Sequence, residues 1–366
     1  MKTNQLSLAA ALVALAACGK ENLDLNRQDN LDNEIGFNVV NQKNTKANDQ
    51  IISGTTYATD NTFKVWGWQS EAGDFSEFAD DAASNFMSNL TISWCGGPQG
   101  RADAWRNADH YYYWPFTGKI GFLAVHPSTV TPSTTGWDAT NDKPKATFAD
   151  YTIAAGNKTV DLMLATNEGT RRADALPMVF KHALSQIQFR VRTNEDYSAD
   201  VTFAVNSVTI NNIDLSGDLA YANEAFTWTD NTTQTENWAY YATSQNAVYA
   251  ANDAAAADYG TAVVMIPQPE YAPVAQVGDP GDPGYVAPEA GTTITINYTM
   301  TPTVGAAATG DVTVSVPQEW LAGKRYLYTL NFRLNEILFN PSVTDWVDVA
   351  VSTINIYSSQ RTNSNK

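Results

Sequence analysis

Cys18 has the clearest chemical role that can be read from this sequence. It follows Leu15-Ala16-Ala17 at the end of a short apolar run, behind the positively charged Lys2. That order is typical of a bacterial secretory signal, and a cysteine directly after the cleavage site accepts a diacylglyceryl thioether. We therefore predict that residues 1–17 are a lipoprotein signal peptide, cut between Ala17 and Cys18. Acyl chains such as palmitate on Cys18 would anchor the mature chain to a membrane; a plain signal peptide with an incidental cysteine is the alternative.

The other residue types used in catalysis show no spacing that identifies a reaction. The sequence lacks a G-x-S-x-G elbow, a Walker loop and a G-x-G-x-x-G motif after a strand, which are the usual signatures of acyl, phosphoryl and hydride transfer. We predict no catalytic residue, no metal and no cofactor, although paired carboxylates for glycoside hydrolysis stay open because they meet only in the fold. Three widely separated histidines are predicted to be structural: His110, His126 and His182.

Two acidic pairs and one further thiol complete the candidates. Asp80-Asp81 and the pair Asp279 and Asp282 could offer carboxylate oxygens to calcium, but neither has the ligand spacing of a known calcium loop. We interpret both pairs as solvated turns. Cys95 has no partner once Cys18 is acylated, so we expect no internal disulfide and predict Cys95 to be a buried small apolar side chain.

Composition indicates an exported acidic protein that is long enough for two ordinary domains. The chain has 366 residues and a net charge of −17, which argues against binding to nucleic acid through charge. Its 10 Trp and 17 Tyr include clusters at 111–114 and 238–241. Such aromatics can stack on sugars or pack the core of a sandwich, and we favour packing.

Alternation of apolar and polar residues with a period of two predicts strands along most of the chain. Ile187, Phe189 and Val191 are a clear example of one apolar and one wet face. A short helix is predicted at 80–86, and the alanine-rich run 250–257 is predicted to be either another helix or a loop. We therefore predict an all-β fold with two β-sandwich domains at 35–175 and 176–366, after a polar tether at 18–34. Further strands are predicted at 294–300, 312–316 and 326–334, and less regular ones at 63–68, 111–114, 120–125 and 160–165.

Each end of the mature chain carries a strand-like segment between polar stretches. Near the start, Ile35, Phe37 and Val39 alternate with small or polar residues, and near the end the segment 346–357 alternates in the same way. Two detachable strands suit a subunit that donates one strand to a neighbour and receives another in place of its own. The apolar residues of the predicted donor strand are Val347, Val349, Val351, Ile354 and Ile356.

Several short motifs, weak singly but fairly specific in their order, resemble the fimbrillins, the lipoprotein precursors of protease-assembled (type V) pili. The resemblance covers essentially the whole mature chain. Its motifs are Glu34-Ile35-Gly36-Phe37, Thr45-Lys46-Ala47, Phe63-Lys64-Val65-Trp66-Gly67, Tyr113-Trp114-Pro115, Phe122-Leu123-Ala124-Val125-His126-Pro127, Phe180-Lys181-His182-Ala183-Leu184-Ser185-Gln186-Ile187, Trp320-Leu321-Ala322-Gly323-Lys324-Arg325-Tyr326 and Phe339-Asn340-Pro341-Ser342-Val343-Thr344-Asp345-Trp346.

The resemblance implies two tandem transthyretin-like (Greek-key) β-sandwich domains and a structural pilus subunit that serves cell adhesion. It also implies export as a lipoprotein to the outer membrane and polymerisation with other fimbrial subunits, as a homopolymer, in an extracellular fimbrium. A trypsin-like protease would remove the first strand by cutting in the segment 35–47. The family generally has Arg in the Thr-Arg-Ala cleavage triplet, where this chain has Lys46 before Ala47. Lys46 is the leading processing site for a protease that accepts lysine, and Arg27 is the second choice.

A function from another class stays open beside this one. A surface lipoprotein that never polymerises could bind glycans through exposed Trp and Tyr side chains. An uncut Lys46 would instead indicate an anchoring or terminating subunit. The sequence does not choose an adhesion ligand on a host or bacterial surface.

Overall fold

The computed structural model describes residues 33–41, 57–97, 103–153, 158–230, 236–269, 291–316, 319–333 and 336–345. Regular structure in these residues is all strand apart from one 3₁₀ turn at Asp253–Ala255, which confirms the predicted all-β class. No helix among them is long and apolar enough to span a bilayer. The strands are β1 (Phe37–Asn41), β2 (Phe63–Ser70), β3 (Met87–Cys95), β4 (Ala104–Arg106), β5 (Lys119–His126), β6 (Thr134–Asp138), β7 (Lys143–Thr152), β8 (Met163–Gly169), β9 (Leu176–His182), β10 (Ser185–Thr193), β11 (Val201–Ile213), β12 (Ser216–Ala222), β13 (Ala225–Asp230), β14 (Glu236–Tyr241), β15 (Gln245–Ala247), β16 (Ala257–Met265), β17 (Thr293–Pro302), β18 (Ala308–Ser315), β19 (Lys324–Arg333) and β20 (Glu336–Asp345).

Seven strands close on themselves as a barrel, in the order β1-β4-β3-β2-β5-β8-β9. A four-stranded sheet, β13-β12-β7-β6, packs on the outside of β2, β5 and β8. Val65 and Phe122 point into the barrel, whereas their neighbours Trp66 and Leu123 point to the second sheet. Both faces of β2 and β5 are buried, so apolar residues occupy consecutive positions at the centre of each strand instead of alternating.

Two further sheets form a sandwich around a separate core. Their orders are β16-β10-β19-β20 and β14-β11-β17-β18, with β15 also paired to β11. Phe189 on β10 and Tyr328 on β19 pack in this core with Val205 on β11 and Ile294 on β17. The facing sheets explain why alternate residues of these strands are the buried ones.

The strands predicted from strict alternation are confirmed. β10, β17, β18 and β19 cover the predicted segments, apart from Val316, which lies just beyond β18, and Leu334, which is outside the described residues. β2 and β5 are confirmed as well, and β8 begins at Met163 instead of Val160. One detail of β10 differs from the prediction, because Gln186 and Gln188 on its polar side are also buried.

Two local predictions are wrong. Residues 80–86 form no helix: Asp81 has a φ of 61°, in the left-handed region, and its amide donates to the Trp137 carbonyl over 2.8 Å. Residues 111–114 form no strand either, and make only a single bridge between Glu34 and Tyr113. In both places, contacts with a distant part of the chain override the local pattern.

Strand pairing continues across the domain boundary predicted at residue 175. β9 lies beyond that residue, yet it pairs with β1 and β8, which precede it. The hairpin β12–β13 also returns, and Leu219 on β12 pairs with Phe148 on β7. Strand pairing does not test whether residues 35–175 and 176–366 fold independently, so the domain boundary stays a prediction.

Candidate functional site

β1 closes the barrel between β4 and β9. It runs parallel to β9 over five residue pairs, from Phe37 with Leu176 to Asn41 with Phe180. On its other side it is antiparallel to β4, where Phe37 pairs with Trp105. Among the described strands, β1 alone lies between β4 and β9. We call the space that residues 34–39 fill between these two strands the first-strand groove.

The three apolar residues predicted for the first strand all point into the barrel. Ile35, Phe37 and Val39 are 2%, 1% and 8% exposed, and all three belong to the barrel core. The Phe37 ring makes edge-to-face contacts with Phe63 and Phe122, with centroids 6.1 and 5.3 Å apart. Burial of three such side chains contributes roughly 1.5 to 3 kcal/mol each to holding the segment in place.

A buried ion pair lies at the start of the groove. Arg106 Nε on β4 is 3.0 Å from Glu34 Oε1, and the two side chains are 6% and 2% exposed. Arg106 Nη1 also donates to the Cys95 carbonyl over 3.4 Å. A buried ion pair of this kind holds the start of the first strand against β4, and loss of one partner from a buried pair is generally costly.

Backbone hydrogen bonds hold the same segment. The Ile35 amide donates to the Tyr112 carbonyl over 2.7 Å, and the Leu176 amide donates to Gly36 over 2.8 Å. The Trp114 amide donates to the Asn33 carbonyl over 2.8 Å. These bonds use main-chain groups alone, so another extended segment running in the same direction can make them.

Tyr57, the first described residue after β1, meets His126 at the end of β5. The Tyr57 hydroxyl is 2.6 Å from His126 Nδ1, and its ring stacks on Phe180 of β9 at 5.8 Å. Burial lowers the pKa of His126 to about 4, so this imidazole is neutral at physiological pH. Burial also raises the pKa of Tyr57 far above its ordinary value. The pair therefore makes a neutral hydrogen bond.

Asp161 and His182 form a second buried polar contact near this end of the barrel. His182 Nδ1 is 2.8 Å from Asp161 Oδ2, and the Asp161 side chain is fully buried. His110 is exposed. Within the described ranges, no three or more His, Cys, Asp and Glu residues are grouped so that they could hold a metal ion.

Two other candidates from the sequence are the thiol of Cys95 and the acidic pair Asp80 and Asp81. Cys95 is half-buried at the end of β3, so the prediction of a buried thiol is wrong: strand β3 is partly exposed on this side. Asp80 and Asp81 both pair with Lys145, at 2.7 and 3.0 Å. A lysine ammonium occupies the position that a bound cation would take.

The described aromatic clusters mostly pack the cores. Trp114, Trp238 and Tyr240 are buried, as the packing interpretation predicts. Among the described tryptophans only Trp94 is exposed, at 40%, and its ring packs edge-to-face on Trp105.

A cleft of about 300 Å³ opens between the barrel and the second sheet. Trp137, Lys143 and Glu224 contribute to its walls, and Glu224 pairs with both Lys143 and Lys181. Trp137 is only 1% exposed, so it offers no ring face on which a sugar could stack.

The remaining predicted site residues lie outside the described residues. They are Ala17 and Cys18 of the signal, the processing residues Arg27, Lys46 and Ala47, the acidic pair Asp279 and Asp282, and the donor residues Val347, Val349, Val351, Ile354 and Ile356.

Sequence reasoning missed the pairs Glu34–Arg106 and Tyr57–His126. Both join residues more than sixty positions apart, and neither spacing matches a motif. The sequence offered one signal for the Glu34–Arg106 pair: Glu34 directly precedes the apolar strand that is predicted to be removed.

Comparison with known proteins gives a family and a fold. The sequence profile of the fimbrillin-like family matches residues 36–346. A fimbrial protein from Bacteroides vulgatus ATCC 8482 is 17% identical, with a TM-score of 0.58 over 86% of this chain and 99% of that one, and so shares the fold. A candidate cell adhesion protein from Bacteroides uniformis ATCC 8492 is 18% identical, with a TM-score of 0.44 over 86% of this chain and 99% of that one. No curated protein matches the sequence.

Proposed function

This chain belongs to the fimbrillin-like family, and we propose that it is a structural fimbrial subunit that polymerises by protease-triggered strand exchange and serves cell adhesion. One observation carries the proposal. β1 is short, lies alone between β4 and β9, and buries Ile35, Phe37 and Val39 in the barrel. Its removal would leave two bare strand edges and an apolar groove, which a strand from another copy can fill.

Proteolysis is the trigger in this proposal. While β1 is part of the chain, its effective concentration at the groove is roughly millimolar or higher, so an incoming strand seldom displaces it. A cut between Lys46 and Ala47 lies beyond Asn41, the end of β1, and removes that advantage. A cut after Arg27 would release the lipid and leave the groove filled.

The donor in this proposal is the segment 346–357 of a neighbouring copy. Its apolar residues, once buried, gain roughly 1.5 to 3 kcal/mol each. Ordering of the segment costs roughly 1 to 2 kcal/mol per residue. Because these two contributions are of similar size, exchange is near balance until cleavage favours it.

The same proposal places the subunit at the cell surface without an enzymatic role. Cys18 would carry the lipid that holds the precursor at the outer membrane, and the finished fimbrium would extend from it. We also propose two tandem transthyretin-like sandwich units. Residues 35–175 supply most of the first unit and 176–366 most of the second, while β9 and the hairpin β12–β13 contribute to the first unit.

Digestion of the purified precursor with a trypsin-like protease tests the function. We expect a new N-terminus at Ala47, identified by mass spectrometry, followed by a ladder of oligomers on a gel. The variant Lys46→Gln should keep its first strand and stay monomeric. A protein that is cut after Lys46 and remains monomeric contradicts strand exchange, as do ladders of normal length after deletion of residues 347–366.

A further inference from the structure

We propose that the loop 170–175 between β8 and β9 is a second cleavage site for the trypsin-like protease, and that the first strand shields this loop until it leaves. Hydrolysis after Arg171 or Arg172 consumes one water and leaves a carboxylate on the arginine and an amine on the next residue. The inference rests on the proposed strand exchange. It adds a way to remove subunits whose first-strand groove stays empty.

The loop carries two adjacent arginines beside exposed residues. Arg171-Arg172 is followed by Ala173 and Asp174, which are both exposed, and Thr170 in front of them is exposed as well. A trypsin-like protease must take the arginine side chain into its specificity pocket. Because exposed loop tips are the preferred sites of such cuts, the loop is a substrate once its arginines and backbone are free to move.

In the precursor, the Arg171 side chain is held in place. Its Nε donates to Asn33 Oδ1 over 2.9 Å, and its Cζ lies 4.2 Å from the centroid of the Phe116 ring. Both arginines of the loop are half-buried. Asn33 directly precedes the segment 34–39 that fills the groove, so it leaves with that segment after a cut at Lys46. The cut therefore removes one of the contacts that keep Arg171 from a protease.

β1 also orders the strand that follows the loop. The Leu176 amide donates to the Gly36 carbonyl over 2.8 Å, and Leu176–Phe180 of β9 pair with β1 residue by residue. β9 pairs with β8 at its other end, through Lys181 and His182. Loss of β1 therefore removes the ladder from the half of β9 next to the loop, and this half can open more readily.

Some contacts of β9 stay after β1 leaves. The Asn167 side chain donates to the Pro177 carbonyl over 2.6 Å, and Leu176 and Met178 are fully buried in the barrel core. These contacts keep β9 near the barrel, but they do not replace the lost main-chain bonds. A donor strand that runs parallel to β9 would replace those bonds and order the loop again.

Cleavage in this loop would end the use of a subunit in assembly. It breaks the chain between β8 and β9, which are neighbours in the wall of the barrel, and β9 is one of the two strands that line the groove. One protease would then do two things. It would start assembly by the cut at Lys46 and destroy the cut subunits that receive no donor.

Digestion of the full-length precursor at low protein concentration tests the shield. A cut subunit then finds no donor, so cleavage in the loop should follow the cut at Lys46. In the variant Lys43→Gln/Lys46→Gln, residues 42–56 contain no basic residue, so β1 stays attached. We call it the retained-strand variant, and its loop should be cut more slowly than that of the wild type by about tenfold or more. Fragment masses followed over time give both rates.

A second pair of variants tests the role of β1 without any cut at Lys46. In the retained-strand variant, Phe37→Ala weakens the packing of β1 and should speed cleavage in the loop about tenfold or more. Asn38→Ala, at the neighbouring exposed position, should stay within about twofold. Cleavage after Arg190 on β10 reports unfolding of the second core. If it rises as much as cleavage in the loop, or if the two variants behave alike, β1 does not shield the loop.

Higher protein concentration separates this inference from the proposed function. If cut subunits exchange strands, oligomer ladders form and loop cleavage in the wild type should fall several-fold as donors pair with β9. Ladders at high concentration with an intact loop at low concentration would overturn the second site and leave strand exchange standing. Equal loop cleavage in the wild type and the retained-strand variant would do the same. Loop cleavage that follows the cut at Lys46, with no ladder at any concentration, would overturn strand exchange and keep the shield.

Discussion

At the scale of single residues, His126 is a base that the fold keeps uncharged. It is 4% exposed, and burial lowers its pKa from 6.5 to about 4. Charged and titratable neighbours act on it too: the nearby Asp161 partly offsets the lowering, whereas His182 adds to it. An imidazole that is neutral in the folded state and protonated in the unfolded state makes folding dependent on pH.

The sign of this dependence follows from the two pKa values. Between about pH 6.5 and pH 4 the unfolded chain binds the proton and the folded chain does not, so stability falls as the pH falls. For His126 alone, we expect the free energy of unfolding to be about 2 kcal/mol lower at pH 5 than at pH 7. Urea unfolding at both pH values measures it.

The variant His126→Gln serves as the control, because it keeps a polar partner for the Tyr57 hydroxyl and cannot be protonated in this range. Its stability should change less between pH 7 and pH 5 than that of the wild type, by about the same 2 kcal/mol. Equal pH dependence in the two proteins would contradict a neutral buried His126.

At the scale of elements, β1 depends on its inward side chains. Its ladder with β9 spans five pairs, and its pairing with β4 is a single pair at Phe37. Main-chain bonds of this kind are available to any extended segment, whereas the fit of Phe37 between Phe63 and Phe122 is particular to this one. Side-chain packing therefore decides how firmly the barrel keeps its first strand.

The variant Phe37→Ala should lower the free energy of unfolding of the uncut precursor by about 3 to 5 kcal/mol. It loses both the burial of the ring and its two edge-to-face contacts. Urea denaturation measures the change, and the variant Asn38→Ala at the neighbouring exposed position should stay within about 0.5 kcal/mol of the wild type. A similar small effect at both positions would mean that β1 is not packed in the barrel.

Elements whose pattern reflects one buried face were predictable from sequence. β17 alternates because Ile294 and Ile296 face the core and their neighbours do not. Segments whose conformation depends on distant partners were not predictable. Residues 111–114 are rich in aromatics that favour strands, yet their backbone bonds to the segment before β1 instead of joining a sheet ladder. The first-strand groove was half predictable, because its apolar residues alternate while its arginine lies seventy-two positions from Glu34.

At the scale of the whole molecule, the chain interleaves its two halves. The barrel needs β9, and the sheet on its outer face takes two of its four strands from the hairpin β12–β13. Trp228 on that hairpin also donates from its indole to the Ala183 carbonyl over 2.8 Å. The sequence could not predict that the hairpin β12–β13 joins the sheet on the barrel, because the residues of a hairpin do not identify the sheet with which it pairs.

The interleaving predicts that a fragment of residues 35–175 will not fold alone. It lacks β9, which supplies the five-pair ladder of β1 and the neighbour of β8, so the barrel cannot close. It also lacks Leu219 and Tyr221, which pair with Phe148 and Ala146 on the neighbouring strand β7 and belong to the same core. Circular dichroism of this fragment should show no strand signal and no cooperative melting.

A longer fragment ending at residue 230 restores both missing pieces and should recover the strand signal. Cooperative melting of residues 35–175 alone would contradict this prediction. The boundary predicted from the sequence would then mark a folding unit that does not need β9 or the hairpin β12–β13.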